Sequence, residues 1–290
     1  ILSVFLLFSI YVNAQLAKPK VSSNKKTNAN TELYIPYKTI TNSNAGQCLT
    51  FNSNSTKFSA EGSIYEINGK KTDIKNAGKV CLGNTDMNLV AYTVQNSNKG
   101  TTVIIYSLRN DNVIHEFNIK RGINWTYDMK FSPDDNYLVV GYSEVSFIFD
   151  LKNNKLIELD ECCSIDLFND IAYSKDSKYI AFPHRDEIVE YSLENHKISE
   201  IYHLPDLNVD RNKDEFFVRD ICYINEDRDI VFTNNNRIYC INTVDSEMYT
   251  LFQLGNNPDA DLDALAVSND GKLLAASGSF VGGKIYIYGV

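Results

Sequence analysis

The stretch that decides the fold is Met129-Lys130-Phe131-Ser132-Pro133-Asp134. It places an apolar residue, a variable one, an aromatic one and a small polar pair directly before an acidic turn. Copies of this pattern stand at Ile171–Asp176, Ile221–Glu226 and Leu265–Asp270, and weaker copies begin at Leu49 and Val80. The starts lie 31, 49, 42, 50 and 44 residues apart. This spacing predicts a fold built from similar units, because self-similarity at such a period marks repeat architectures.

Each unit divides into four short strands at its turn residues. In the third unit the turn at Pro133–Asn136 separates the first two strands, because Pro presets the bend. The predicted strands of this unit are Tyr127–Ser132, Tyr137–Tyr142, Val145–Leu151 and Lys155–Leu159. The sixth unit has only three, and we expect Leu33–Ile40 to supply the fourth, which closes the ring and removes an open sheet edge. The sequence therefore predicts an all-β fold: a single propeller of four-stranded blades, six in number with seven as the alternative.

Two of the repeats carry a family signature. Phe131–Asp135 and Val267–Gly271 resemble the Phe-Ser-Pro-Asp-Gly motif of WD40-like and YVTN-type β-propellers. Phe149–Leu151 and Tyr191–Leu193 stand where the Trp-Asp pair of that family usually falls, although the pair itself is absent. The resemblance covers residues 33–290 and is strongest over 125–290. It implies a platform for binding, since such propellers are typically interaction scaffolds.

The start of the chain indicates export. Residues 1–12 form an uncharged apolar run, shorter than the about 20 residues that a membrane-spanning helix needs. Val12-Asn13-Ala14 offers the small residues that precede a signal-peptidase cut. We therefore expect a signal peptide over 1–14, truncated at its start because Met and a basic leader are missing. Residues 15–32 are polar and basic and predict a disordered linker before the propeller at 33–290.

Composition narrows the location and the partners. The formal net charge of -9 argues against a nucleic-acid partner. No second apolar run is long enough to cross a membrane as a helix. We expect a monomer, exported to the periplasm, the cell surface or the medium, which binds a protein or a glycan.

The cysteines of the strands are predicted to be buried free thiols. Cys222 and Cys240 fall on the first and third strands of one unit, about 10 Å apart, which is too far for a disulfide. Cys81 and Cys222 occupy the repeat position that Ala172 and Ala266 fill elsewhere, where a small buried residue fits.

The candidate binding site is a patch of aromatic and basic residues, because Trp and Arg are enriched at binding hot spots. Its members are Trp125, His184, Arg185, Phe216 and Arg219. Each has a structural alternative. His184 and Arg185 lie in the loop between the second and third strands of the fourth unit, where a solvated turn is common. Trp125 and Phe216 also suit packing between blades.

The sequence predicts no cofactor. Two acidic loops place oxygen ligands at alternate positions as a calcium loop does: Asp210, Asn212 and Asp214, and Asp259, Asp261 and Asp263. Neither has the Gly that such a loop requires at its sixth position, where Glu215 and Ala264 stand. We therefore interpret both as polar connections between blades and do not expect Ca²⁺. No histidine pair has metal-ligand spacing.

Two functions are compatible with the sequence. The first is a secreted, non-enzymatic scaffold that binds a partner through one loop face. The alternative is a secreted propeller enzyme, a hydrolase or lyase with a metal in the central channel. No nucleophile elbow or phosphate-binding loop occurs, so no catalytic residue is assigned and the scaffold is favoured.

Overall fold

The structure is a computed structural model of the 290-residue chain. The residues that it describes are 49–51, 57–60, 63–66, 70–74, 77–83, 85, 88–96, 100–119, 126–142, 145–159, 171–184, 187–204, 218–224, 228–253, 262, 264–268, 273–277 and 285–289. In this part of the chain all regular structure is β-strand, and no helix there is long and apolar enough to cross a membrane.

The first three sheets are antiparallel, and each has four strands. The first contains β1 Leu49–Phe51, β2 Lys57–Ala60, β3 Ser63–Glu66 and β4 Lys71–Asp73. The second contains β5 Ala77–Leu82, β6 Leu89–Asn96, β7 Gly100–Ser107 and β8 Asn112–Ile119. The third contains β9 Thr126–Phe131, β10 Tyr137–Tyr142, β11 Ser146–Asp150 and β12 Lys155–Leu159.

The remaining sheets continue the series, and the last has three described strands. The fourth contains β13 Ala172–Tyr173, β14 Tyr179–His184, β15 Glu187–Ser192 and β16 Lys197–His203. The fifth contains β17 Ile221–Ile224, β18 Asp229–Asn234, β19 Arg237–Ile241 and β20 Met248–Gln253. The sixth contains β21 Ala264–Val267, β22 Leu273–Ser277 and β23 Ile285–Gly289. In every sheet each strand pairs with its neighbours in sequence, so each sheet is a meander built from one repeat.

The sheets pack face to face in chain order. Apolar clusters fill the spaces between the first and second sheets, the second and third, and so on to the fifth and sixth. The middle strands lie between two such clusters, and every residue of β11 and of β18 is therefore buried. This explains the near-continuous apolar runs of these strands. A strand that is covered on both faces has no solvent-exposed face, so polar residues do not alternate with apolar ones along it.

This architecture is the one expected of a β-propeller, and the prediction of an all-β chain of repeated antiparallel sheets is confirmed. The four strands predicted for the third unit agree with β9 to β12 to within one residue at each end. Cys81 and Cys240 are buried, as predicted, whereas Cys222 is only half-buried. The blade count and the closure by Leu33–Ile40 stay predictions, because residues 1–48 lie outside the described residues.

Candidate interaction surfaces at the two ends of the sheets

The meander gives every sheet two different ends. The turn end of a sheet is the end where the first strand turns into the second and the third strand turns into the fourth. The loop end is the opposite end, where the second strand is connected to the third and where one sheet is connected to the next. Turn-end groups of neighbouring sheets contact each other, as Asp134 and Ser177 do, and so do loop-end groups such as Asp220 and Leu265. The two ends of the molecule are therefore two surfaces, and each is shared by successive sheets.

The loop end of the fourth sheet carries a row of polar side chains. His184, at the end of β14, pairs with Glu187 on β15, and Glu187 pairs with His203 on β16. His203 Nδ1 lies 2.8 Å from Glu187 Oε1. His184 Nδ1 is buried and has no hydrogen-bond partner among the described residues. The structure thus places His184 in a strand, whereas the sequence interpretation put it in the adjoining loop. A two-residue connection at 185–186 lets the strand pairing continue to His184.

The loop end of the fifth sheet holds Arg219 on a fixed backbone. The Arg219 N–H donates to the Thr233 carbonyl at 3.1 Å, and the Thr233 N–H donates to the Asp220 carbonyl at 3.0 Å. The Asp220 carboxylate accepts hydrogen bonds from the N–H groups of Ile221 and, in the sixth sheet, Leu265, at 2.7 and 2.5 Å. Asp220 therefore ties the fifth and sixth sheets together directly beside Arg219.

Two of the five predicted patch residues, His184 and Arg219, are described, and both stand at the loop end of neighbouring sheets. Trp125, Arg185 and Phe216 lie outside the described residues. The calcium-loop candidates Asp210, Asn212, Asp214, Asp259, Asp261 and Asp263 lie outside them too. Within the described ranges, no three His, Cys, Asp or Glu side chains form a preassembled metal-binding group.

The turn end is held by a bond pattern that recurs with the repeat. Ser132 Oγ donates to Asp134 at 2.6 Å, and Ser174 Oγ donates to Asp176 at 2.7 Å. Each Ser hydroxyl also accepts from the backbone N–H that begins the next strand, at 3.0 Å from Tyr137 and 2.9 Å from Tyr179. The Ser and the Asp of each repeat therefore stabilise the turn together, because Ser and Asp side chains satisfy backbone groups in tight turns.

Charge at these turns is stabilised by hydrogen bonds. Burial acts to raise the pKa of Asp134, but hydrogen bonds from Ser132, Asn136 and Ser177 outweigh it and hold the pKa of this carboxyl below its ordinary value. A cleft of about 400 Å³ opens here between the third and fourth sheets. The Asp134 and Asp176 carboxylates on its wall already accept hydrogen bonds within their own turns. These two carboxylates therefore stabilise the turns that form the wall of the cleft.

A buried carboxylate joins the fourth and fifth sheets. Glu190 accepts a hydrogen bond from the Tyr223 hydroxyl at 3.0 Å and lies 3.6 Å from Arg228 Nη1, which comes from the fifth sheet. The Arg228 guanidinium stacks on the Tyr179 ring at 3.8 Å. Burial raises the pKa of Glu190 above its ordinary value, against the lowering effect of Arg228 and Tyr223. Burial and the neighbouring Glu190 raise the pKa of Tyr223 well above its ordinary value. The repeat pattern gives no signal for this network, because its members come from two different repeats.

Comparison with known proteins supports the fold. No protein-family model matches the chain, and no curated protein matches it. Among solved structures 1269 chains match. One belongs to the structure described as "Crystal Structure of Mitotic Checkpoint Complex", with a TM-score of 0.61 and 12% sequence identity over 83% of this chain and 73% of that chain. At this identity the similarity shows the fold alone. Together with the four-stranded antiparallel sheets it fits a WD40-like β-propeller.

Proposed function

We propose that the protein is an exported, non-enzymatic interaction scaffold that binds a protein partner at the loop end of the fourth and fifth sheets. The observation that carries this proposal is the placement of His184 and Arg219 at the same end of neighbouring sheets. The similarity to a chain of the Mitotic Checkpoint Complex structure supports a protein rather than a glycan partner, because that chain is itself part of a complex.

The difference between the two ends favours the loop end as the binding surface. At the turn end, Ser132, Asp134 and Ser174 direct their polar atoms into their own turns. At the loop end the His203 side chain is 78% exposed and the Glu187 side chain 27%. Side chains that are not bound within their own turns can reach a partner without breaking the fold.

Affinity capture with matched variants tests this proposal. The full chain serves as bait in the exported fraction of its host. We expect His184→Ala combined with Arg219→Ala to lose the partner that the wild type captures. Lys152→Ala combined with Lys178→Ala changes two exposed cations at the turn end and should retain it. A partner that survives the loop-end substitutions, or is lost with the turn-end ones, would contradict the proposed surface. Circular dichroism of each variant controls for folding.

Export is part of the proposal and rests on the apolar run at 1–12. N-terminal sequencing of the protein from the exported fraction tests it. Gln15 is the expected first residue, and a mature protein that begins upstream of Gln15 would contradict the signal peptide.

The proposed ring has six blades and is closed by Leu33–Ile40 pairing with the free side of β23. β22 covers one side of β23, and no described strand covers the other. Residues 41–48 can span up to about 28 Å between the closing strand and β1. Deleting 33–40 should lower the free energy of unfolding far more than deleting 15–32, because only the first deletion exposes a sheet edge. Equal effects of the two deletions in urea denaturation would overturn the closure.

A further inference from the structure

The polar row at the loop end of the fourth sheet combines three metal-ligating side chains. Antiparallel pairing sets His184 opposite Glu187, and Glu187 opposite His203. Directly opposed residues project from the same face of a sheet, with Cβ atoms about 4.5–5.5 Å apart. Two imidazoles therefore flank one carboxylate on a single face.

Two of the three groups are already close enough to share an ion. His203 Nδ1 lies 2.8 Å from Glu187 Oε1. Donor atoms bound to one tetrahedral Zn²⁺ at about 2.0–2.1 Å lie roughly 3.3 Å from each other. A small outward movement of the exposed His203 ring would thus admit an ion between them.

The third group has an unused ring nitrogen. His184 Nδ1 is buried and makes no hydrogen bond to any described residue. A half-turn of the ring about its Cβ–Cγ bond exchanges the positions of Nδ1 and a carbon, so the present orientation does not commit this nitrogen to the interior. Rotation would turn an unsatisfied buried atom into a ligand, which favours the rotated state when a metal is present.

The fold alone does not require this row. The corresponding positions in the fifth sheet are Asn234, Arg237 and Gln253. In the third sheet the positions of His184 and Glu187 are taken by Tyr142 and Val145, and the Tyr142 N–H donates to the Val145 carbonyl at 3.0 Å. None of these described residues is a histidine or a carboxylate, whereas the strands of the fourth sheet hold two of the four histidines of the chain.

We propose that His184, Glu187 and His203 bind a divalent transition metal ion of the zinc class. Imidazole and carboxylate ligands suit Zn²⁺, and three protein ligands leave one position for water or for a group of a partner. Among the described residues no three His, Cys, Asp or Glu side chains stand where they could hold a metal ion, so binding at this row requires the His184 side chain to change its orientation. This site is separate from the acidic loops at 210–214 and 259–263 and does not depend on the proposed scaffold function.

Zinc titration of the full chain tests the proposal. After treatment with EDTA and its removal by dialysis, ZnCl₂ is added while heat release and the melting temperature are recorded. We expect one ion per chain and a rise in melting temperature, because a ligand that binds only the folded state stabilises it. His184→Ala, His203→Ala and Glu187→Gln should each weaken binding by about tenfold or more, since even substitutions beside metal ligands cost about 10–100-fold.

The other two histidines provide matched controls. His115→Ala removes an imidazole on the second sheet, and His196→Asn removes one at a turn with positive φ, a backbone conformation that Asn tolerates. Both should bind zinc as the wild type does. Absence of saturable zinc binding by the wild type, or an equal loss of affinity in these controls, would overturn the proposed site.

Discussion

The turn end and the loop end of the molecule are built from the same repeats but differ in what their polar residues do. At the turn end the Ser–Asp pair recurs, and its hydroxyls and carboxylates bind backbone groups of their own turns. At the loop end the last residue of the second strand varies from sheet to sheet, as His184 and Asn234 show, although Asp128 and Asp220 at that end also bind backbone groups. The residues that recur from repeat to repeat at the turn end are kept for the structure of the turns. The loop-end positions that vary are therefore the better place to look for binding.

The turn end also carries contacts from sheet to sheet that involve residues in the left-handed backbone region. Asp135, Asn154, Ser177 and Arg228 have φ of 57°, 51°, 59° and 66°. Asp135 accepts from Thr85 N and Oγ1 at 2.8 and 2.6 Å, and Ser177 Oγ accepts from the Asp134 N–H at 3.1 Å. We call these contacts, with those of Arg228 to Glu190 and of Asn154 to His115 at 3.0 Å, the turn-end bridges.

The largest effect is expected at the bridge of Arg228. Arg228→Ala leaves Glu190 buried without its cation, which should cost near the lower end of about 3–5 kcal/mol, because Arg228 is 29% exposed. Adding Glu190→Gln should recover part of this loss, since no buried charge then remains unpaired. Arg237→Ala at the loop end loses one 3.3 Å hydrogen bond to Tyr239 and should cost about 1 kcal/mol. Urea denaturation measures all three, and equal losses at both ends would break the comparison.

A smaller effect is expected where the Asp135 bridge passes close to Gly83. A Cβ at Gly83 would lie 2.7 Å from Asp135 Oδ2, so Gly83→Ala should push the carboxylate from Thr85 and cost about 1–3 kcal/mol. Gly289→Ala is the control, because nothing lies within 4 Å of its added Cβ. Thermal unfolding compares the two, and a neutral Gly83→Ala would show that the bridge can move freely.

The smallest effect separates the same substitution at the two ends. Ser132, Ser174 and Ser146 are all fully buried. Ser132→Ala or Ser174→Ala removes the acceptor of a backbone N–H and should cost about 1–2 kcal/mol. Ser146 Oγ, at the loop end, has no hydrogen-bond partner among the described residues, so Ser146→Ala should be neutral or slightly stabilising. Destabilisation by Ser146→Ala as large as that by Ser132→Ala would remove the distinction between the ends.

The sequence predicted the strands well where turn chemistry is strong. The turn at Pro133–Asn136 separates the strand Thr126–Phe131 from the strand Tyr137–Tyr142, as expected. The ends of strands were predicted less well: the third strand of the third unit was expected over Val145–Leu151 and is a strand over Ser146–Asp150. Periodicity finds the apolar core of a strand, but its ends depend on which backbone groups find partners.

The polar networks were much harder to predict. The sequence interpretation treated His184 as a loop residue next to Arg185, and it did not associate it with Glu187 or His203. His184 and Glu187 flank a two-residue connection, and they are paired only because both strands continue up to it. His203 joins the row only through the register of the next strand, β16. Likewise, Glu190 and Arg228 meet because two sheets pack, and no spacing within one repeat encodes that packing.

The turn-end bridges all point in one direction along the chain. Asp135 and Asn154 of the third sheet contact the second, Ser177 of the fourth contacts the third, and Arg228 of the fifth contacts the fourth. A ribosome releases the N-terminal sheets first. The third, fourth and fifth sheets therefore each carry the side chains that attach them to the sheet synthesised before them. Each can dock as it emerges, without waiting for a later part of the chain.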